Sequence, residues 1–290
     1  MMDVGKPIRR NILYAQLYGL KTAESIDSFY SKTFEKMKKK ALKESTKNRA
    51  KAVKTVSRFC CDLLHSLEIM MLGGGKDYSV EKGLSHLGAL LGDRTFYVVD
   101  DDLIKKLNHS IKIAARNSFY LSQILVIYKC IWKNSLYDTV LVSTKKKKEL
   151  DAMITGLHNA VKEHLSAKPV ANIMECVYDL IDITLFRGSY DTLMDTKETN
   201  ETEETNLKNR IDLAIGLVGI FEFIVANPEY SKDEKNHIFE TVDIRKLVDD
   251  CRTVSFISVA SKNAEQKRVL DALSILGKKI EKEYDVPFSF

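Results

Sequence analysis

"EKMKKKALKESTKNRAKAVKTVSR", residues 35–58, decides how the chain is read. Lys36, Lys40, Lys43, Lys47, Lys51, Lys54 and Arg58 follow one another at steps of 4, 3, 4, 4, 3 and 4. Phe34, Met37, Ala41, Ala52, Val56, Phe59 and Leu63 recur at similar steps in and around the same stretch. Two series of that period place an apolar stripe on one side of a helix and seven cations on the other. The sequence therefore predicts a long amphipathic helix from about Ser25 or Ser31 to Leu72, with room for one break near residues 45–47, ended by the glycines at 73–75.

The rest of the chain carries the same signal. Thirteen Gly and four Pro are few for 290 residues, and Lys, Leu, Ile and Glu are abundant, which starves turns and favours helices. Pro7 opens a first helix to about Leu20. Further helices are expected over Val80–Leu91, Leu103–Trp132, Lys146–Ser166, Val170–Phe186, Leu207–Val225, from the Ser231–Glu234 capping box onward, and over Ala264–Tyr284. Asp100 to Asp102 supply an N-cap and a favourable charge to the helix that follows them. "TFYVV" (95–99) and "TVSFISVA" (253–260) are the two β-like runs and read as helix or loop, with a minor ribbon as the rival. The fold expected is an all-α, compact bundle of about eight or nine helices.

Charge is unevenly distributed. The formal net charge is +5, yet residues 1–60 alone carry +10, which leaves −5 for the remainder. The opposite pole is "SYDTLMDTKETNETEETN" (189–206), six acids against one lysine, expected as a solvated linker loop. It suggests an N-terminal lobe over 1–188 and a C-terminal lobe over 207–290; one fused domain fits equally well.

No stretch is apolar for the roughly 20 residues a transmembrane helix needs, and the N-terminus lacks the apolar core of a signal peptide. Cys60, Cys61, Cys130, Cys176 and Cys251 are odd in number and scattered, without C-x-x-C spacing, which fits a reducing cytoplasm. The sequons at Asn108 and Asn200 are then chance matches.

Like charges one turn apart destabilise a helix by a few tenths of a kcal/mol per pair, and six such steps amount to about 1–3 kcal/mol. Only Glu35 and Glu44 stand against eleven bases between Lys32 and Arg58, so an external anion is expected. Lys36, Lys40, Lys43, Lys47, Lys51, Lys54 and Arg58, with Arg9 and Arg10, are the candidate nucleic-acid-binding residues. Single-stranded RNA or another polyanion, held without sequence readout, is the expected partner. An anionic membrane surface or a protein partner is the alternative, with the chain as a helical adaptor. Tyr14, Tyr18, Phe29, Tyr30 and Phe34 lie in the same third and could stack on bases. Size, basic character, reduced cysteines and missing enzyme motifs together parallel helical viral nucleoproteins, which self-associate through a terminal arm; residues 1–30 could act as one.

Enzyme motifs are scarce, and no cofactor or metal is expected. "GGGKD" (73–77) lacks the Ser/Thr and preceding strand of a phosphate loop, and none of the six histidines stands in H-x-x-x-H spacing. Asp100–Asp102 resemble the aspartate-rich sites of helical isoprenoid synthases, but "DDDLI" lacks the last acid of D-D-x-x-D. In "RFCCDLLH" (58–65), Arg58 and His65 resemble the R-x4–6-H motif of HEPN-type ribonucleases. That resemblance implies a metal-independent ribonuclease with His65 as acid or base and Arg58 on the phosphate; Phe59 stands where the family commonly has a polar residue.

Overall fold

The computed structural model describes residues 12–73, 77–96, 98–137, 144–163, 166–185, 200–240, 242, 246, 271–272 and 275–279. The protein is all-α, and no strand occurs among the described residues. Ten helices follow in order there: α1 (Ile12–Gly19), α2 (Ala23–Ser45), α3 (Arg49–Gly73), α4 (Asp77–Gly92), α5 (Asp101–Ala114), α6 (Ser118–Tyr137), α7 (Thr144–Lys162), α8 (Ala167–Leu185), α9 (Asn200–Ala226) and α10 (Lys232–Glu240). Two compact units divide the chain at Asn134/Ser135, in the last turn of α6.

Local chemistry explains most boundaries. Thr22 and Ser25 form a reciprocal capping box that opens α2, and Asp100 accepts from the Leu103 amide at 2.9 Å to open α5. The Ser231–Glu234 box forms as expected, the Ser231 amide reaching Glu234 Oε2 at 2.9 Å and the Glu234 amide reaching Ser231 Oγ at 3.3 Å. The Ser231 amide and the Ser231 hydroxyl, which also donates to Glu234 Oε2 at 2.9 Å, hold the Glu234 carboxyl below its ordinary range. Pro169 lies in the first turn of α8, where its missing N–H leaves no helix bond unmade.

Two expectations are corrected, and the reading of "TFYVV" as helix or loop holds. The helix expected over Leu103–Trp132 is two, because Asn117 turns back to accept from the amides of Phe119 and Tyr120 at 3.0 and 3.3 Å and so starts α6 anew. "TFYVV" is no strand in its described part: Asp93 accepts from the Thr95 amide at 2.9 Å and the Phe96 amide reaches the Asp93 carbonyl at 3.0 Å, a tight Asx turn. The end of the acidic run is helical, since α9 starts at Asn200; residues 189–199 lie outside the described residues, as do 253–260.

In the first unit, side-chain pairs fix the helix directions. Phe34 meets Phe59 with ring centroids 5.1 Å apart, and Thr55 donates to Glu44 at 2.5 Å, so α2 and α3 form an antiparallel hairpin closed at Thr46–Asn48. Tyr30 donates to the Ser79 carbonyl at 2.7 Å and Lys38 lies 5.7 Å above the Phe96 ring, so α4 runs parallel to α2. Asn134 donates to the Leu91 carbonyl and Gly88 approaches Ile127, which sets α6 parallel to α4. Consecutive helices from α2 to α6 thus alternate in direction. Helix α3 lies against α1, α2, α4 and α5 and carries the centre of the core, with Val56, Cys60, Leu63, Leu64 and Leu67 buried.

In the second unit α9 packs on α7 and α8, and α10 on α8. Gly216 approaches Ile154 and Phe223 meets the His158 ring at 5.0 Å, so α7 and α9 are parallel. Ile173, Val177, Leu180, Leu213, Leu217 and Phe221 are buried there. No helix among the described residues is long and apolar enough to cross a membrane.

Candidate nucleic-acid interface

The basic stretch folds at the break the sequence allowed. Phe34, Met37, Ala41, Ala52, Val56 and Leu63 are buried and Phe59 is half-buried, so the apolar stripe docks as expected. Each such side chain of Val, Phe or Leu size contributes about 1.5–3 kcal/mol, well above the few tenths lost to each like-charge pair. Packing therefore decides the fold of the hairpin and the cations follow it outward.

The seven cations do not share one helix face. Lys36, Lys40 and Lys43 ride on α2, Lys47 sits in the turn, and Lys51, Lys54 and Arg58 ride on α3; all seven are exposed. The turn removes the Lys43–Lys47 and Lys47–Lys51 steps from any single helix, so less repulsion accumulates than an unbroken stripe implies. It also gathers the charge. Lys39 and Arg49, both exposed, join Lys40, Lys43, Lys47, Lys51 and Lys54 around one hairpin tip. Glu44 stands among them, its side chain 15% exposed, 4.0 Å from the Lys51 ammonium and bound by Thr55. Arg9 and Arg10 lie outside the described residues.

The aromatic residues go elsewhere. Tyr30 and Phe34 are core residues, stacked and tilted against His86 with centroids 5.7 and 5.1 Å away, and they are unavailable to bases. The cause is their place on the apolar side of α2, one turn apart. Phe29 and Tyr14 are half-buried, and Tyr18, its ring tilted against Tyr14 at 5.8 Å, is exposed.

Beyond Arg58 the exposed side of α3 changes character. Asp62 is exposed, and burial reinforced by Asp100, Asp102 and Asp62 pushes the Cys61 thiol up to about 11. Cys60 is fully buried and its thiol is pushed up further still by burial. Neither is a nucleophile at neutral pH.

His65 belongs to a cluster that the sequence did not disclose. Glu68, one turn on from His65, is buried between α3 and α5 with its side chain 3% exposed. Its carboxylate accepts from Ser110 Oγ at 2.7 Å, contacts the Lys106 ammonium, and lies 3.1 Å from His109 Nδ1 and 3.8 Å from His65 Nδ1. Lys106 Nζ is also 3.4 Å from His65 Nδ1. The partners that α5 supplies lie 38 to 42 residues away in the chain, so no local spacing reveals them. The one available signal is Glu68 itself, a lone acid in "LLHSLEIMML". Among the described residues no group of three or more His, Cys, Asp or Glu is arranged to hold a metal ion. Comparison with protein-family models, curated proteins and solved structures finds no match for this chain.

Proposed function

We propose that the chain binds single-stranded RNA, as a nucleoprotein-type protein, through the phosphates and without reading sequence, using the tip of the α2–α3 hairpin. The observation that carries this reading is the exposure of Lys40, Lys43, Lys47, Lys51 and Lys54 around one turn with Glu44 as the single acid among them. With Tyr30 and Phe34 in the core, base stacking on them contributes nothing and the interaction is mainly electrostatic. Such binding releases counterions, so its affinity falls linearly with salt on logarithmic axes, by about 0.7 per phosphate contact for a single strand.

The test replaces Lys40, Lys43, Lys47, Lys51 and Lys54 with Gln, a good helix former, in the full chain. If even three of the five touch phosphates, the salt slope flattens by about 2 and affinity drops for every base sequence. An unchanged slope and affinity would exclude the hairpin tip as the binding surface. Binding to anionic vesicles or to a protein, with none to RNA, would assign the same tip to the adaptor role instead.

A further inference from the structure

The cluster around Glu68 engages His65 and His109 through their Nδ1 atoms. A carboxylate only accepts, so a neutral His109 carries its proton on Nδ1 and leaves Nε2 bare. An ammonium only donates, so a neutral His65 that accepts from Lys106 does so on Nδ1, 3.4 Å away, and then carries its proton on Nε2. The side chains of His65 and His109 are 40% and 60% exposed, and both Nδ1 atoms face the cluster. The seam between α3 and α5 therefore offers an acceptor from His109, a donor from His65, and a partly exposed ammonium from Lys106.

Ser110 and His109 meet one oxygen of Glu68 and Lys106 the other, so the carboxylate ties α3 to α5 and sets where the two imidazoles and the ammonium stand along the seam. Arg58 precedes His65 by two turns of α3, and exposed Lys105 and Lys112 flank His109 on α5. Exposed Asp62 and Asp102 stand near the start of the same seam, so bulk positive charge is weaker here than at the hairpin tip. What distinguishes the site is its pattern of donors and acceptor.

We propose that His109, His65 and Lys106 form a subsite for a ribose 2′-hydroxyl and its neighbouring phosphate, which makes this chain select RNA over DNA. The hydroxyl donates to the bare His109 Nε2, and the phosphoryl oxygens accept from His65 Nε2–H and Lys106. DNA lacks the first partner, and a 2′-O-methyl ribose lacks its hydrogen. Glu68 is a positioning residue that holds the His109 ring. This assignment rests on the polyanion reading above and adds its choice of sugar.

Short labelled single strands of one sequence built from adenine and cytosine, as RNA, DNA and 2′-O-methyl RNA, are titrated with the full chain. The parent binds RNA roughly three- to tenfold more tightly than either analogue, the loss set by one hydrogen bond. His109→Ala brings RNA affinity to the DNA value and leaves DNA affinity unchanged, with the melting temperature monitoring the fold. Equal affinity of the parent for all three strands, which needs no variant, overturns the proposal while sparing the polyanion reading. A preference for RNA that persists in His109→Ala overturns it as well. Absence of binding to all three strands at low salt overturns both readings together.

Discussion

Gly83 on α4 faces Tyr30 on α2 so closely that a Cβ there would stand 2.6 Å from the tyrosine Oη and 2.7 Å from Leu67 Cδ2. The tyrosine cannot withdraw, because its hydroxyl donates to the Ser79 carbonyl and its ring stacks on His86. Gly83→Ala is expected to destabilise the protein by about 1–3 kcal/mol, outweighing the roughly 1 kcal/mol that alanine gains in a helix. Gly219 in α9 has open space around its Cβ position, so Gly219→Ala should stabilise by about 0.5–1 kcal/mol. Urea unfolding followed by circular dichroism separates the two signs.

Burial pushes the Tyr30 hydroxyl up to about 12. In the unfolded chain it titrates near 10, so between those values the folded state holds the extra proton. The stabilisation is complete below pH 10 and is lost as pH rises toward 12. Tyr30→Phe should remove that part of the alkaline decline, at a cost of about 1 kcal/mol near neutrality for the lost hydrogen bond. Thermal melts of both proteins at pH 8 and above 10 make the comparison.

Glu44→Gln keeps an acceptor for Thr55 and deletes the acid at the hairpin tip. Its ion pair with exposed Lys51 spans 4.0 Å and is worth well under about 1 kcal/mol, so stability should barely change. Affinity for a single strand should rise several-fold at low salt and converge with the parent at high salt, where the Debye length falls to about 3 Å. An affinity indifferent to this change would place the bound phosphates away from the tip.

Glu68→Ala leaves the Lys106 ammonium without its carboxylate in a site that is largely buried. Removing one member of such a pair costs about 3–5 kcal/mol, somewhat less here because the lysine is 20% exposed. Glu68→Gln should cost less than Glu68→Ala, since its amide oxygen still accepts from Ser110. Melting temperatures of the two variants give the order.

Periodicity made the helices legible, and it failed where side chains compete with the helix backbone. Asn117 interrupts an otherwise uniform apolar pattern by capping its own successors, a choice that pattern matching over a long window averages away. The break at Thr46–Asn48 was legible because serine, threonine and asparagine cluster there amid lysines. The cationic residues were legible as exposed because they alternate with the apolar ones. Phe34 was legible as buried from its place in the apolar stripe; Tyr30, offered for stacking beside basic neighbours, lies one turn earlier on the same side, and that position governs its burial. The Glu68 cluster joins α3 to α5 across α4, and such a contact exists only once the helices have packed.

Helix α3 begins with Arg49, Lys51 and Lys54 and no acid in its first turn, so cations crowd the positive end of its dipole. Asn48 caps it by accepting from the Lys51 amide at 3.1 Å, one bond against several repelling charges. This turn is thus the place where α3 opens most readily, and its amide hydrogens exchange with solvent before those of the buried middle of the helix. A bound phosphate reverses the sign of the local field. Slowed exchange at residues 49–54 on adding a strand then records occupancy of the tip at the level of single amides, without a label on either molecule.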